Sequence, residues 1–300
     1  MSEIIISTTN LPKQYGKKKA VDSVSVHIRQ GEIYGFIGRN GAGKTTFMKM
    51  ISGLSGQTSG EISLFGAKGA ESDRMRSRIG TLIEAPGLYP NMTAHQNLRL
   101  KTVSVGINRP GYIEELIELV GLSNVKNTPT KKFSLGMKQR LGIAMALVGD
   151  PDILVLDEPI NGLDPQGIVE VRDILLKLNK ERRITILISS HILEELSKVA
   201  TSYGIINNGR LIAEMSSEEL FAQCEEKIEI KVDEPSAVSP ILDSLGIQKY
   251  KTVDSGTIEV YDDLDRVPDI AEAIVMKGIR LNGITKKNEN LEDFYLGITR

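Results

Sequence analysis

Residues 38–46 read Gly-Arg-Asn-Gly-Ala-Gly-Lys-Thr-Thr. No other stretch of this chain restricts its fold as strongly. Glycines at 38, 41 and 43 let the backbone turn tightly and aim successive N–H groups inward, which is what a chain of phosphates requires. The flanks agree. Residues 33–37, Ile-Tyr-Gly-Phe-Ile, form an apolar run suited to a buried strand, and Phe47, Met48, Ile51 and Leu54 fall at helical spacing. A strand, a glycine-rich loop and a helix in that order place a helix N-terminus and its dipole at the loop. In this reading Lys44 reaches β- and γ-phosphates and Thr45 ligates Mg²⁺. Asn40 and Thr46 complete the nucleotide-binding loop. The plainer reading is a glycine-rich turn that opens an ordinary helix.

A second acidic site lies downstream. Residues 153–156, Ile-Leu-Val-Leu, form a buried strand followed by Asp157 and Glu158. In open α/β sheets ligands bind at the carboxyl ends of the strands. There Asp157 is suited to hold Mg²⁺ through water and Glu158 to polarise the attacking water; otherwise the two would merely cap the next helix. His191 follows the strand Ile-Leu-Ile-Ser-Ser at 186–190 and would face the same sheet edge, within reach of a γ-phosphate. Tyr15, ahead of Gly16 and three lysines, suits either an adenine-stacking ring or a packed aromatic in a solvated basic loop.

Composition narrows the classes. The 300 residues are 40% hydrophobic and 25% charged with a net charge of −2, the balance of a soluble globular protein without a basic nucleic-acid surface. A single cysteine, Cys224, excludes an internal disulfide framework and fits a reducing cytosol. The N-terminus lacks the pattern of a secretory signal, and no run of eighteen apolar residues is present. A membrane role would have to come through a partner.

The chain as a whole reads as α/β. Strands are expected at 4–6, 21–28, 33–37, 60–65 and 79–83, the early ones forming an antiparallel β subdomain. Residues 86–148 read as an inserted helical subdomain, with helices at 112–122 and 135–147 and Ser134 as N-cap of the second. Helix and strand then alternate through 168–206, and Asn207-Asn208-Gly209 makes a hairpin turn before a strand at 211–215. The pattern restarts near residue 220. Residues 220–300 run β-α-β-β-α-β, the order of a small ferredoxin-like unit, with a closing helix at 291–298. That gives a domain of residues 1–219 and an accessory or dimer-supporting domain of residues 220–300.

Together these motifs resemble the ATP-binding subunit of an ABC transporter over residues 3–220. Phe133-Ser134-Leu135-Gly136-Met137 occupies the place of the family's Leu-Ser-Gly-Gly-Gln signature. Asn161-Gly162-Leu163-Asp164 matches the loop that crosses the dimer interface, and His191 the switch histidine. The resemblance implies a P-loop NTPase (RecA-like) core and ATP with Mg²⁺ as cofactors. It also implies a head-to-tail homodimer in which Ser134 and Gly136 of one copy, with Asp164 nearby, close over ATP on the other. Transmembrane permease subunits and a location on the inner face of the plasma membrane follow from the same likeness. Leu135 and Met137 depart from the signature, so a weakened clamp is expected.

Glu84 stands where the family usually carries a glutamine that contacts Mg²⁺ and water. Glutamate there, with Ser-Leu-Gly-Met-Lys-Gln at 134–139, resembles the bacitracin and lantibiotic exporter branch. Glu84 is accordingly expected to point at the metal when ATP is bound and to swing away when the site is empty, so that the loop couples occupancy to the adjacent surface at 87–98. The plainer reading is a surface residue paired with a nearby lysine. By the same analogy a membrane subunit would dock at residues 87–98 through Leu88, Tyr89 and Met92, unless these pack internally. A soluble ABC-type ATPase acting in translation or DNA maintenance is the competing reading. The single phosphate loop and the absence of a heptad array weigh against it.

Overall fold

The computed structural model describes residues 2–224, 226–288 and 291–299. They fall into two compact units, Met1–Ser217 and Glu218–Arg300.

The first unit is built on a six-stranded sheet. Its order is Arg210–Ser216, Ser202–Asn207, Ile33–Ile37, Thr185–Ser190, Ile153–Leu156, Ile79–Leu82. The last five are parallel, and Arg210–Ser216 joins by an antiparallel hairpin. Asn208 and Gly209 both take positive φ at its turn, as a two-residue hairpin loop of this hand requires. Strands Ile33–Ile37, Ile153–Leu156 and Thr185–Ser190 are buried along their whole length. That explains why they read as apolar runs rather than as alternation. Register brings Ile37 beside Ser190, and Ile188 and Leu82 beside Leu156. Four loops therefore leave one sheet edge together: those beginning at Gly38, Ile83, Asp157 and His191.

An antiparallel sheet, His27–Arg29, Ile4–Thr9, Glu61–Leu64, Ala67–Lys68, and the hairpin Leu11–Tyr15 with Lys18–Val24 complete the β subdomain. The single strand expected at 21–28 is two strands. Ser23 has φ 57, and the gap is closed by buried Thr8, whose hydroxyl donates to Val24 O at 3.0 Å and accepts from Val26 N at 3.1 Å.

The helical subdomain contains Ala94–Ser104 as well as Tyr112–Leu119 and Leu135–Ala146. The first was not singled out by apolar spacing because Asn97 and Thr102 occupy its buried face. It starts instead from a capping box, Thr93 with Gln96. Buried Asn97 accepts from Tyr89 N at 2.8 Å and donates to Thr93 O at 2.9 Å, so one amide closes the loop 89–93. Tyr112–Leu119 ends earlier than its apolar pattern, ahead of Gly121 with φ 66.

The second unit carries a sheet of order Tyr250–Asp254, Thr257–Val260, Glu226–Val232, Leu281–Asn288, antiparallel throughout. With helices Pro235–Ser244 and Val267–Met276 this is the ferredoxin-like arrangement. Ile228, Ile230, Val232, Ile258 and Val260 alternate toward Val238, Leu242, Ile270 and Ile274. The other face of the strands carries charge. Lys227 pairs with Glu259 at 2.8 Å and Lys287 with Glu229 at 2.6 Å. Leu291–Ile298 closes the chain as a helix.

Candidate nucleotide site

Each glycine of the phosphate loop is required for its own reason. A Cβ on Gly38 would come within 2.6 Å of Ile206 O. On Gly43, at φ 111, it would meet Ala20 O at 2.5 Å. Gly41 has open space but φ 83, a conformation glycine takes at no steric cost. Helix Lys44–Ile51 then starts with no side-chain cap and no acid in its first turn, so its leading N–H groups remain for an anion.

The reactive groups of three loops interlock at this point. Lys44, 5% exposed, donates from Nζ to Gly38 O at 2.5 Å. Thr45 Oγ1 donates to Asp157 Oδ2 at 2.7 Å. Asp157 is 4% exposed, and its Oδ1 accepts from Ser189 Oγ at 2.6 Å. That same Ser189 oxygen accepts from Glu158 N at 2.9 Å. His191 Nδ1 lies 2.8 Å from Glu158 Oε2. Lys44 Nζ lies 3.1 Å from Glu158 Oε1 but off the hydrogen-bonding direction, so that buried oxygen has a counter-charge and no directed donor. Glu158 itself sits at φ 49, in the left-handed region.

A cavity of about 240 Å³ opens at Lys44, Thr45 and Glu158 and is lined also by Asn40, Gly41, Gly43 and Thr46, whereas Gly38, Asp157, Ser189 and His191 are not among its lining residues. Lys18 and Arg39 add positive charge to its rim. Arg39 and the Ser189 relay were missed from sequence. Arg39 stood in plain view inside the loop motif, whereas nothing in an apolar strand marks Ser189.

The remaining expected residues lie elsewhere. Tyr15 is 52% exposed at the end of its strand, with Lys13 Nζ 5.0 Å from its ring centre, and does not line the cavity. Glu84 is exposed and paired with Lys49 Nζ at 2.5 Å. Among the described residues it makes no contact with Thr45 or Asp157. Ser134 caps Leu135–Ala146, its hydroxyl accepting from Met137 N at 3.2 Å. Asp164 caps Pro165–Arg182 by accepting from Gly167 N at 3.0 Å. A Cβ on Gly136 would lie 3.8 Å from Gly167 Cα, so the two helix starts are side by side. Half-exposed Leu135 lies against Gly162. None of these three expected residues lines the phosphate-loop cavity.

The donor set suits a hard cation. Thr45 hydroxyl and Asp157 carboxylate are adjacent oxygens, and among the described residues no cluster of three His, Cys, Asp or Glu could hold a metal alone. That combination fits Mg²⁺, which takes one or two carboxylates and completes its shell with water and substrate phosphates.

Residues 21–161 match the family model described as ABC transporter. The chain is 42% identical over 294 residues to the bacitracin transport ATP-binding protein BcrA of Bacillus licheniformis, covering 97% of this chain and 96% of that protein. The chain belongs to the ABC transporter family. A second relative, the lantibiotic transport ATP-binding protein SrtF of Streptococcus pyogenes, is 44% identical over 210 residues, 70% of this chain and 90% of that one. In fold the chain is similar to cbiO1 of Clostridium perfringens, part of the cbiONQ transporter complex. That likeness has a TM-score of 0.66 at 25% identity and covers 81% of this chain and 96% of that one. The protein is thus an ATP-binding, ATP-hydrolysing subunit of an ABC transporter. No helix among its described residues is long and apolar enough to cross a membrane.

Proposed function

We propose that this chain hydrolyses Mg²⁺·ATP to drive export of a peptide antibiotic of the bacitracin or lantibiotic class through separate transmembrane subunits. The observation that carries the reading is the near full-length 42% identity to a bacitracin transport subunit.

In this scheme the phosphate-loop N–H groups and Lys44 hold β- and γ-phosphates. Thr45 and Asp157 hold Mg²⁺, which when bound supplies charge neutralisation at the phosphates. Glu158 is the general base: its Oε1 is buried without a directed donor and so keeps acceptor capacity for the attacking water. His191 orients that carboxylate from its other oxygen and contacts the γ-phosphate of bound ATP. Ser189 fixes both acids through one hydroxyl. Ser134 and Gly136 of a second copy supply the missing anion clamp, since the uncovered start of Leu135–Ala146 carries free N–H groups and a positive dipole end. Asp164 frames that clamp, and Tyr15 stacks on the adenine. Turnover therefore requires a head-to-tail homodimer.

The membrane subunit docks beside residues 87–98, where Tyr89 is 57% exposed and Leu88 and Met92 are half-buried. A groove of about 290 Å³ adjoins this stretch, lined by Ile79, Leu82, Ile83, Pro86, Met145 and Val148 with Lys101 as its one charged lining residue. It suits a short amphipathic helix. The protein would sit on the inner face of the plasma membrane through that contact.

The test is resistance. A sensitive host carrying this chain with the membrane subunits encoded beside it should survive bacitracin or a lantibiotic, and the Glu158→Gln form should not protect. Failure to co-purify with any polytopic membrane protein would overturn the transport reading.

A further inference from the structure

Charge is distributed unevenly along this chain. Residues 86–148 carry eight Lys and Arg against three acidic residues, a net of +5 in a chain whose total is −2. The three acids, Glu114, Glu115 and Glu118, all lie on helix Tyr112–Leu119. Two of them are engaged, Glu114 with His95 at 3.3 Å and Glu115 with Arg182 at 2.7 Å. From 119 to 149 the sequence has no acid at all. Within that stretch Lys126, Lys131 and Lys132 are exposed, and among the described residues none of them pairs with a carboxylate. Hydrogen bonds hold the segment against the stretch that the proposed permease contact uses. Buried Thr130 donates from N to Met92 O at 2.9 Å and from Oγ1 to Tyr89 O at 2.9 Å. Lys131 N donates to Pro90 O at 2.8 Å, and its Nζ to Asn91 Oδ1 at 3.1 Å. Thr93 and Pro129 form a β-bridge. The turn carrying Lys126 is closed by Thr128 N donating to Val125 O at 2.8 Å. The lysines and exposed Tyr89 therefore share one hydrogen-bonded ledge.

We propose that Lys126, Lys131 and Lys132 form a lipid-contacting face, engaging anionic headgroups of the bilayer beside the permease contact. The inference rests on the reading that a membrane subunit docks at 87–98, which brings this ledge to the bilayer. Two kinds of negative surface answer a basic ledge, lipid phosphate and an acidic protein segment. Charge selects lipid. The cytoplasmic segments of membrane proteins carry an excess of Lys and Arg, so the ledge meets repulsion there, while inner-leaflet headgroups attract it. Lysine suits the task, since a compact ammonium on a flexible stem reaches a phosphate without a fixed geometry. The negative total of the chain makes the contact local. A protein of net −2 is not drawn as a whole to an anionic surface, and a segregated basic face is what brings it there.

The test is flotation of the full chain with vesicles of phosphatidylcholine alone and of phosphatidylcholine mixed with phosphatidylglycerol. The chain should float with the mixed vesicles and stay behind with the neutral ones. One lysine near an anionic surface contributes about fivefold to partitioning, so Lys126→Gln, Lys131→Gln and Lys132→Gln together should weaken binding about a hundredfold. A control triple with the same loss of charge, Lys177→Gln, Lys180→Gln and Arg183→Gln on helix Pro165–Arg182 and its C-cap, should float like wild type. Both triples should keep a native circular dichroism spectrum. Raising salt should release the protein, because the attraction falls off within a Debye length. Absence of wild-type flotation with the mixed vesicles overturns the proposal, as does equal flotation with the neutral ones. Equal loss in the two triples overturns it too, since total charge rather than this ledge would then be responsible. Binding to soluble poly-glutamate with none to vesicles would assign the ledge to an acidic protein partner instead. Co-purification with a polytopic membrane protein tests the docking reading separately. A chain that floats through these lysines but never co-purifies loses that reading and keeps the lipid face.

Discussion

The six-stranded sheet of the first unit and the sheet of the second unit use charge in opposite ways. In the second unit, lysines and glutamates pair diagonally across neighbouring strands and neutralise each other, as Lys227 does with Glu259 and Lys287 with Glu229. In the first unit the charged groups stand at the ends of buried strands and are only partly satisfied. Asp157 has a hydroxyl on each oxygen, and Glu158 keeps one oxygen with no directed donor. Cross-strand pairing gives a sheet face a modest stabilisation. Convergence at strand ends leaves unmet electrostatic demand, and that demand is what a ligand can answer. Position in the sheet, more than residue type, separates a structural glutamate from a functional one.

Glu158→Gln should break that contrast most severely. The amide cannot accept the water's proton, and general-base contributions are about 10²- to 10⁴-fold, so turnover should fall by that factor while ATP binding persists. ATPase assays with equilibrium binding check it, and near-normal hydrolysis would remove Glu158 from the role. Ser189→Ala is the next in size. It strips a hydroxyl from both Asp157 and Glu158 N, and a buried acceptor left unmet costs about 1–3 kcal/mol. A tenfold or greater loss of turnover with a native circular dichroism spectrum is expected. Charged substitutions at Leu88 and Tyr89 should uncouple transport while leaving ATP binding within about threefold, an interface change being felt by the partner alone. Parallel loss of both would place those side chains in the interior packing.

The smallest effect belongs to the second unit. Lys287→Met removes the partner whose hydrogen bond is the main cause of Glu229's depressed pKa. Part-exposed pairs are worth about 1 kcal/mol or less, so thermal stability at neutral pH should drop by no more than that. The sign of the pH dependence follows from the depressed carboxyl. Its contribution is fully present above the ordinary glutamate value of 4.5 and is lost as pH falls through the lowered folded value. Wild type and Lys287→Met should therefore converge in acid and differ by a constant amount from about pH 6 upward. Thermal melts across that range check it.

What sequence revealed and what it hid follow the same physics. The phosphate loop, the Asp157–Glu158 pair and His191 were legible because each is fixed to the end of an apolar run, and a parallel sheet aligns such ends. The ferredoxin-like order was legible because strands Glu226–Val232 and Thr257–Val260 alternate clearly and helices separate the strand pairs. Helix Ala94–Ser104 was not singled out, because its buried face depends on the Asn97 amide rather than on hydrocarbon. The break at Ser23 was hidden by apolar alternation that continues across it, and only Thr8, distant in sequence, shows how it is closed. Ser189 and Lys49 were silent for a simpler reason. Each takes its meaning from a partner more than thirty residues away, and no local pattern encodes such a pairing.

Residues 84 and 158 share one further property: both are glutamates in a backbone conformation that glycine adopts without cost. At Glu158 this sets two selections against each other. A laboratory lineage chosen only for heat resistance would be expected to drift there toward glycine or asparagine, relieving the backbone while discarding the carboxylate. Such descendants would melt later than their ancestor and would have stopped turning over ATP. Glutamate at position 158 would thus hold a strained backbone in exchange for the carboxylate that the proposed chemistry uses.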